Sequence, residues 1–438
     1  MQYYWLVNGT KYGPFSMNEA GYPNEGEVVR HFRVAVKKMR AKKLGELYGA
    51  ALHEKSKSRE AILHMEKNNT IPTDITRRRV LAGILGIPYA LLGLHESLEK
   101  LPLTQALDHT PKPVNRNSKQ QSLDHYSIEE HQQALKLYFD GYYHRHGQAA
   151  LDDVAYTTQN LAALLANTNA NNREPGLALL SRYHQFGTNA AREQQNYEHA
   201  LLHADKAIQY ARSQAKPDAD LLVISYYRRG ITFFEQGITH EAAQWGAIQK
   251  AQPDIDIALS YAQTATPLMK GFIALEWGLV QAHTATTATD KSLVMKRLDQ
   301  SYNNLSVSQL EDDPNFVRFS PGWYYLTRAE ALIAMGMFSE SLGELEIAEE
   351  VTPINLPRRF AYLDALRARA YLGMNDLDEA VTYVKSAFNA SQAVKSEYNL
   401  ARLANIQQDL EKSKHGRDRE IKQFGRAFRA VRPNLFLS

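Results

Sequence analysis

Apolar residues recur at steps of three and four through most of the chain, the period of helices that bury one face. Residues 27–39 (EVVRHFRVAVKKM) place Val28, Phe32, Ala35 and Met39 on one side and Arg30, Arg33, Lys37 and Lys38 on the other. Residues 42–48 turn Leu44, Leu47 and Tyr48 inward and stop at Gly49. Ser58 is placed to cap a third helix whose inner positions are Ala61, Ile62 and Met65; Asn68, Asn69 and Pro72 end it. Asp74 caps a fourth, with Val80, Leu81, Ile84 and Leu85 behind Arg77, Arg78 and Arg79. Gly86 and Pro88 break that helix, and Tyr89–Leu94 begins another short one. The exception is the start. Residues 1–16 alternate aromatic and polar positions (Tyr3, Trp5, Val7) up to Asn8-Gly9, a hairpin signal, so residues 1–26 are expected to form a two-stranded flap.

Residues 100–125 have no apolar period and hold Pro111-Lys112-Pro113, which reads as a linker after a domain over 27–99. From 126 to 410 nearly everything is helix-prone. Segments centred on Ala200, Ala242, Ser341 and Ala380 align with one another at steps of about forty residues, with small residues where two helices would touch. The 341 and 380 segments match best. The stretch 250–310 is weaker and is expected to supply one degenerate helix pair. A helix pair that is apolar on both faces stacks on its neighbours, leaving a concave side lined by first helices. Residues 411–438 read as a basic helix and an apolar tail. The expected fold class is all-α.

Charge changes this picture more than composition does. The net charge is only +3, yet residues 27–79 hold fourteen Lys/Arg against six Asp/Glu. That local excess of eight leaves −5 on the remainder, the distribution expected of a polyanion-binding module on a near-neutral body. The chain has no cysteine, which excludes disulfides and thiolate chemistry and fits a cytoplasmic protein. No basic n-region precedes an apolar run at the start, and the longest apolar stretch, 80–94, is too short and interrupted for a membrane span.

Two sets of side chains are candidates for function. Lys42, Lys43, Lys57, Arg59, Arg77, Arg78 and Arg79 are placed to meet phosphates, and Ser58, Arg59 and Ile62 to enter a major groove, where arginine is the commonest reader of guanine. An isolated run of such charges is more often a solvated face. Tyr227, Phe234, Trp323, Glu330, Tyr362 and Arg369 fall on first helices of the repeats, pointing into the concave side, where aromatic rings and a few charges suit a peptide or partner helix. Core packing is the commoner fate of aromatics at helical spacing. His199 and His203 lie four apart near Asp205, but without the intervening Glu of a zinc-protease helix or an evident third ligand, packing is the better reading. The triplet His144-Arg145-His146 alternates direction. No nucleotide loop, nucleophile elbow or carboxylate pair stands out, so neither an enzyme nor a cofactor is expected.

The helices over 27–94 resemble an Xre/Cro-type helix-turn-helix domain. Leu44-Gly45, Ile62 and Met65-Glu66 stand where that family has Leu-Ala/Gly, Ile and Ile-Glu; Asn68, Asn69 and Pro72 fall on its polar turn, and Leu85-Gly86-Ile87-Pro88 with Leu91-Leu92 on its closing segment. The repeats resemble tetratricopeptide units. Together they resemble the peptide-responsive regulators of bacterial cell–cell signalling. The resemblance implies double-stranded DNA bound by a homodimer, with a peptide or protein ligand in the repeat groove and no membrane partner. Two departures stand out: the second helix opens on Arg40-Ala41 where the family has Thr-Gln, and the turn from Gly49 to Arg59 is longer than usual. They favour the alternative, a protein-interaction scaffold with a degenerate helix-turn-helix.

Overall fold

A computed structural model describes residues 2–7, 9–18, 22–72, 74–94, 122–141, 147–238, 244–306, 313–354, 356–414 and 416–436. The described residues are predominantly helical, and none of their helices is long and apolar enough to cross a membrane. The chain divides into two compact units, Met1–Tyr183 and His184–Ser438. Most of the expected linker, the triplet 144–146 and the repeat centre Ala242 lie outside the described residues.

In the first unit, β1 (Gln2–Val7) pairs antiparallel with β2 (Thr10–Ser16), as the Asn-Gly signal predicts. Trp5, Val7 and Phe15 are buried, and Tyr12 stacks on Phe32 with ring centroids 5.2 Å apart. The hairpin therefore packs on α1 (Glu25–His31), whose start is capped by Asn24. The helix then widens into a π-turn over Phe32–Val36, where the Lys37 amide reaches back to the Phe32 carbonyl. That extra residue per turn rotates the face. Ala35, expected inside, is exposed, and Arg33, expected outside, is buried.

α2 (Ala41–Ala51), α3 (Arg59–Lys67) and α4 (Ile75–Leu85) follow, close to their expected bounds. Ser58 accepts from the Ala61 amide at 3.1 Å and Asp74 from the Arg77 amide at 2.8 Å, so both expected caps form. Leu44, Ile62, Leu81, Leu85 and Leu91 are each at most 1 % exposed and form the centre. α5 (His125–Gly141) begins inside the stretch read as linker. It packs on β1 and on the turn over Tyr89–Leu92, with Leu123 buried just before it. α6 (Gly147–Ala166) and α7 (Ala170–Glu193) come next, the unit boundary falling within α7.

The second unit is a run of paired helices: α8 (Tyr197–Arg212), α9 (Ala219–Ile238), α10 (Gln244–Tyr261), α11 (Pro267–Ala282), α12 (Ala288–Ser306), α13 (Pro321–Ala334), α14 (Phe338–Val351), α15 (Pro357–Gly373), α16 (Leu377–Ala393), α17 (Glu397–Lys412) and α18 (Arg419–Val431). Proline in the first turn of α11, α13 and α15 starts those helices without losing a hydrogen bond. Pairing is strongest within α9/α10, α11/α12, α13/α14 and α15/α16, and α9, α11, α13, α15 and α17 also meet in succession. Ala200, Ser341 and Ala380 have no exposed surface, as close helix contact requires. The core beneath α15–α18 joins Val384, Phe388, Leu403, Leu410, Phe424 and Phe428. Leu326, Ala329, Leu345, Tyr362 and Leu366 form a neighbouring cluster.

Candidate functional site

The basic surface of the first unit is built on α2 and the start of α3. Residues 52–58 lie against α2. The Lys57 amide donates to the Gly45 carbonyl at 3.2 Å and the Glu54 amide to the Gly49 carbonyl at 2.9 Å. Glycine is required at both contacts: a Cβ on Gly45 would stand 2.1 Å from the Lys57 carbonyl oxygen, and one on Gly49 2.7 Å from the Ser56 Cα. The long turn is thus stitched to the preceding helix rather than looped away from it. Lys42 lies one turn before Gly45 on that helix, so Lys42, Lys57, Ser58 and Arg59 belong to one local surface, and all four are exposed. Lys43 and Arg59 make only exposed contacts, with Glu46 at 3.5 Å and Glu60 at 3.8 Å. Such pairs contribute little and yield readily to a phosphate.

Beneath this surface Arg33 and Glu66 form a buried two-pronged pair, Nε to Oε1 at 2.6 Å and Nη2 to Oε2 at 2.7 Å, and Arg33 Nη1 also donates to the Met39 carbonyl. The pair ties the π-turn after α1 to the end of α3 and so holds that helix in place.

Three expected DNA contacts are otherwise engaged. Ile62 is 1 % exposed because its position on α3 faces the core, so it cannot reach a groove. Arg78 spans Glu25 (2.5 and 2.9 Å), the Pro72 carbonyl and the Leu92 carbonyl, which makes it a tie between α4, α1 and the closing turn. Arg77 pairs with Glu54 at the half-exposed edge of the turn.

In the second unit the expected groove residues meet one another. Tyr227 (5 % exposed) sits edge-on to Phe272 and faces the buried carboxyl of Glu276. Trp323 Nε1 donates to Glu276 Oε1 at 3.0 Å, while the Arg359 guanidinium lies over its ring. The Tyr362 hydroxyl donates to Glu330 Oε2 and Arg402 Nη1 to Glu330 Oε1 at 2.7 Å; the Arg402 guanidinium stacks over Tyr362 and Tyr398. Arg192 forks onto Glu235, and Glu193 faces Arg358 at 3.2 Å. Phe234, expected in the groove, has no exposed surface and packs edge-on to His283; Arg369 is partly exposed and pairs with Asp409. These side chains form a polar wall that runs from α7 to α17, filled by their own partners.

The wall treats its glutamates differently. Burial pushes Glu276 up to about 7, because its nearest donors, Trp323 and Tyr227, are neutral and Glu330 repels its charge. Burial also opposes the charge on Glu330, but Arg402 and the Tyr362 hydroxyl outweigh it and hold that carboxyl below its ordinary range. Burial lowers His283 to about 4, so it is neutral. The chemistry open to this wall is charge recognition and proton uptake.

Of the two histidines read as packing residues, His203 packs against a neighbouring helix, and His199 is half-buried. His203 Nδ1 lies 3.0 Å from His184 Nδ1, His184 stacks on Tyr210, and Asp205 pairs with Arg229. No group of three or more possible metal ligands occurs among the described residues. Sequence reasoning missed Arg33, Glu66, Glu276 and Arg402 as partners. A signal for two of them was present: Glu276 is the only charge in FIALEWGLV and Arg402 the only one in NLARLAN. A lone ion within an apolar run marks a buried polar contact, an ion pair for Arg402 and neutral donors for Glu276.

No family model matches the sequence, and no curated protein matches it. Among solved structures, the chain is similar to BtubC (BKLC) from P. vanneervenii, at 12% identity over 57% of this chain and 93% of that chain, with a TM-score of 0.39. At that TM-score the likeness bears on neither fold nor function.

Proposed function

We propose that the protein is a DNA-binding transcriptional regulator of the Xre helix-turn-helix type, cytoplasmic and dimeric, whose tetratricopeptide-like second unit binds a peptide or protein ligand. The observation that carries this reading is the exposed basic surface of Lys42, Lys43, Lys57, Ser58 and Arg59 on α2 and at the start of α3. The other end of α3 is fixed by the Arg33–Glu66 pair. Phosphates would be held by the lysines, and Arg59 would face base edges. A ligand that rearranged the polar wall would act by preferring one conformation of the stack, and so alter the spacing of two heads on their half-sites.

Selection of the full chain on random duplexes at two salt concentrations tests this. An enriched palindrome with half-sites one helical turn apart is expected, and Arg59→Ala should cost about 1–3 kcal/mol at one position of it. Failure to enrich any sequence would refute the reading. The scaffold alternative has one observation in its favour. Ile347, Val351 and Ile354 are 40, 42 and 92 % exposed along and just after α14, among the exposed Glu346 and Glu350, an apolar and acidic surface suited to a protein partner.

A further inference from the structure

α18 spends its apolar side on the core, where Ile421, Phe424 and Phe428 are buried against Phe388 and the residues around it. Its other side exposes Arg419, Lys422 and Arg426, at the three- and four-residue steps that make a single stripe, and the exposed Lys414 and Arg417 lead into it. Neighbouring cations are neutralised: Arg429 forks onto Glu411, Arg432 onto Glu397, and Lys385 pairs with Glu420. No acidic group among the described residues pairs with the five others.

Unneutralised charge in register, held on a rigid helix, implies an anionic partner, and the surroundings narrow its class. The stripe covers about 10 Å of helix, near the axial length of three phosphate-to-phosphate steps, or about four phosphates, on one strand. Between and beside its later cations are Gln423, Ala427 and Ala430, which let a backbone approach; the carboxylates nearest the stripe, Asp418 and Glu420, flank Arg419, and Glu420 is already paired with Lys385. A lipid surface is disfavoured, because an interfacial helix needs a free apolar face and this one is used. A cleft of about 590 Å³ opens beside the stripe between Lys385, Asn389, Arg419, Glu420 and Gln423, with Phe388 and Phe424 at its base. Those rings are 7 and 8 % exposed and pack on each other with centroids 5.4 Å apart, so they offer no platform for unstacked bases. Backbone contact to a duplex remains.

We propose that the Arg419–Lys422–Arg426 stripe is a second phosphate-binding surface, which grips the backbone of duplex nucleic acid without reading its sequence. It lies in the second unit and is independent of the α3 surface.

The test is a titration of the full chain with a short duplex of random sequence across a salt series. It compares the unaltered protein, the triple variant Arg419→Gln/Lys422→Gln/Arg426→Gln, and the α3 variant Lys57→Gln/Arg59→Gln. Unchanged hydrogen-exchange protection over 419–431 establishes that the triple variant is folded. Its salt slope is expected to be smaller by about 0.9 per cation removed, or ~2.7 in all. The α3 variant should keep a salt-dependent, sequence-blind component that the triple variant loses. Retention of both affinity and slope by the triple variant would overturn the proposal while leaving the α3 reading intact. A residual component in the α3 variant with no sequence preference in the unaltered protein would support the stripe and sink the α3 reading. No duplex binding by the unaltered protein at low salt would sink both. A triple variant deficient only toward phosphatidylserine vesicles or polyglutamate would overturn the proposal in favour of those partners.

Discussion

Glu276 is a buried carboxyl whose hydrogen-bond partners, Trp323 and Tyr227, are both neutral, and replacing it with Gln isolates the consequence. Its folded value is raised from 4.5 to about 7 by burial, with Glu330 adding to the rise and Trp323 and Tyr227 opposing it. A carboxyl raised on folding binds protons more tightly in the native state. Its contribution is fully present below about pH 4.5 and is lost as pH rises through about 7. The displacement corresponds to about 3 kcal/mol. Glu276→Gln keeps an acceptor for Trp323 Nε1 and removes the charge, so the variant lacks this dependence. His184, His203 and His283 are lowered by burial and slope the opposite way, gaining stability as pH rises, but they are common to both proteins and cancel in the difference. Urea unfolding read by pulsed hydrogen exchange over 267–282, at pH 5 and pH 8, should show the variant gaining on the parent by about 2–3 kcal/mol between the two. A difference that stays within ~0.5 kcal/mol of its pH 5 value would refute the reasoning, since Glu276 would then be charged at both.

Glu66→Ala leaves the Arg33 guanidinium buried without its carboxylate and should cost about 3–5 kcal/mol in the first unit, whereas Arg33→Met/Glu66→Leu together should recover most of that. Hydrogen exchange over 25–67 measures both, and a single-variant cost under ~1 kcal/mol would show that the pair is dispensable. Gly45→Ala sets a methyl 2.1 Å from the Lys57 carbonyl oxygen, so the turn must lift off α2. A loss of roughly 1–3 kcal/mol is expected, with weaker duplex binding from the displaced Lys57 and Arg59. An alanine variant with parental stability in urea would mean that the turn moves freely.

What could be read from the sequence was local. The hairpin at Asn8-Gly9, the Ser58 and Asp74 caps and the small residues Ala200, Ser341 and Ala380 each depend on a residue and its near neighbours, and each formed as read. Arg33 escaped because a single π-turn re-aims every residue after Phe32, and helical periodicity assumes a constant turn. Arg78 was placed by its rank in a helix, which does not show that Glu25 lies 53 positions away beside it; Ile62 was already inward by its apolar spacing, which excludes the groove role it was also given. In the second unit the positions were found but their surroundings were not. Tyr227, Trp323, Glu330 and Tyr362 do lie on first helices, α9, α13 and α15, yet their partners, Glu276 and Arg402, lie 40 to 72 residues away, beyond any local pattern.

The second unit also brings its early and late helices into contact. Gln195 Nε2 donates to the Glu397 carbonyl at 2.8 Å, across 202 positions of sequence, and Glu193 meets Arg358 nearby. An open stack in which each hairpin touches only its neighbours can fray from either end, one hairpin at a time. Here the first hairpin is latched to one near the end, so loosening α17 also releases the turn after α7. Unfolding should then be cooperative over the whole span from 193 to 412, and folding correspondingly slow, since a long loop closes before that latch forms. A ligand or partner acting at one end of the latch would be felt at the other without a relay through each hairpin between.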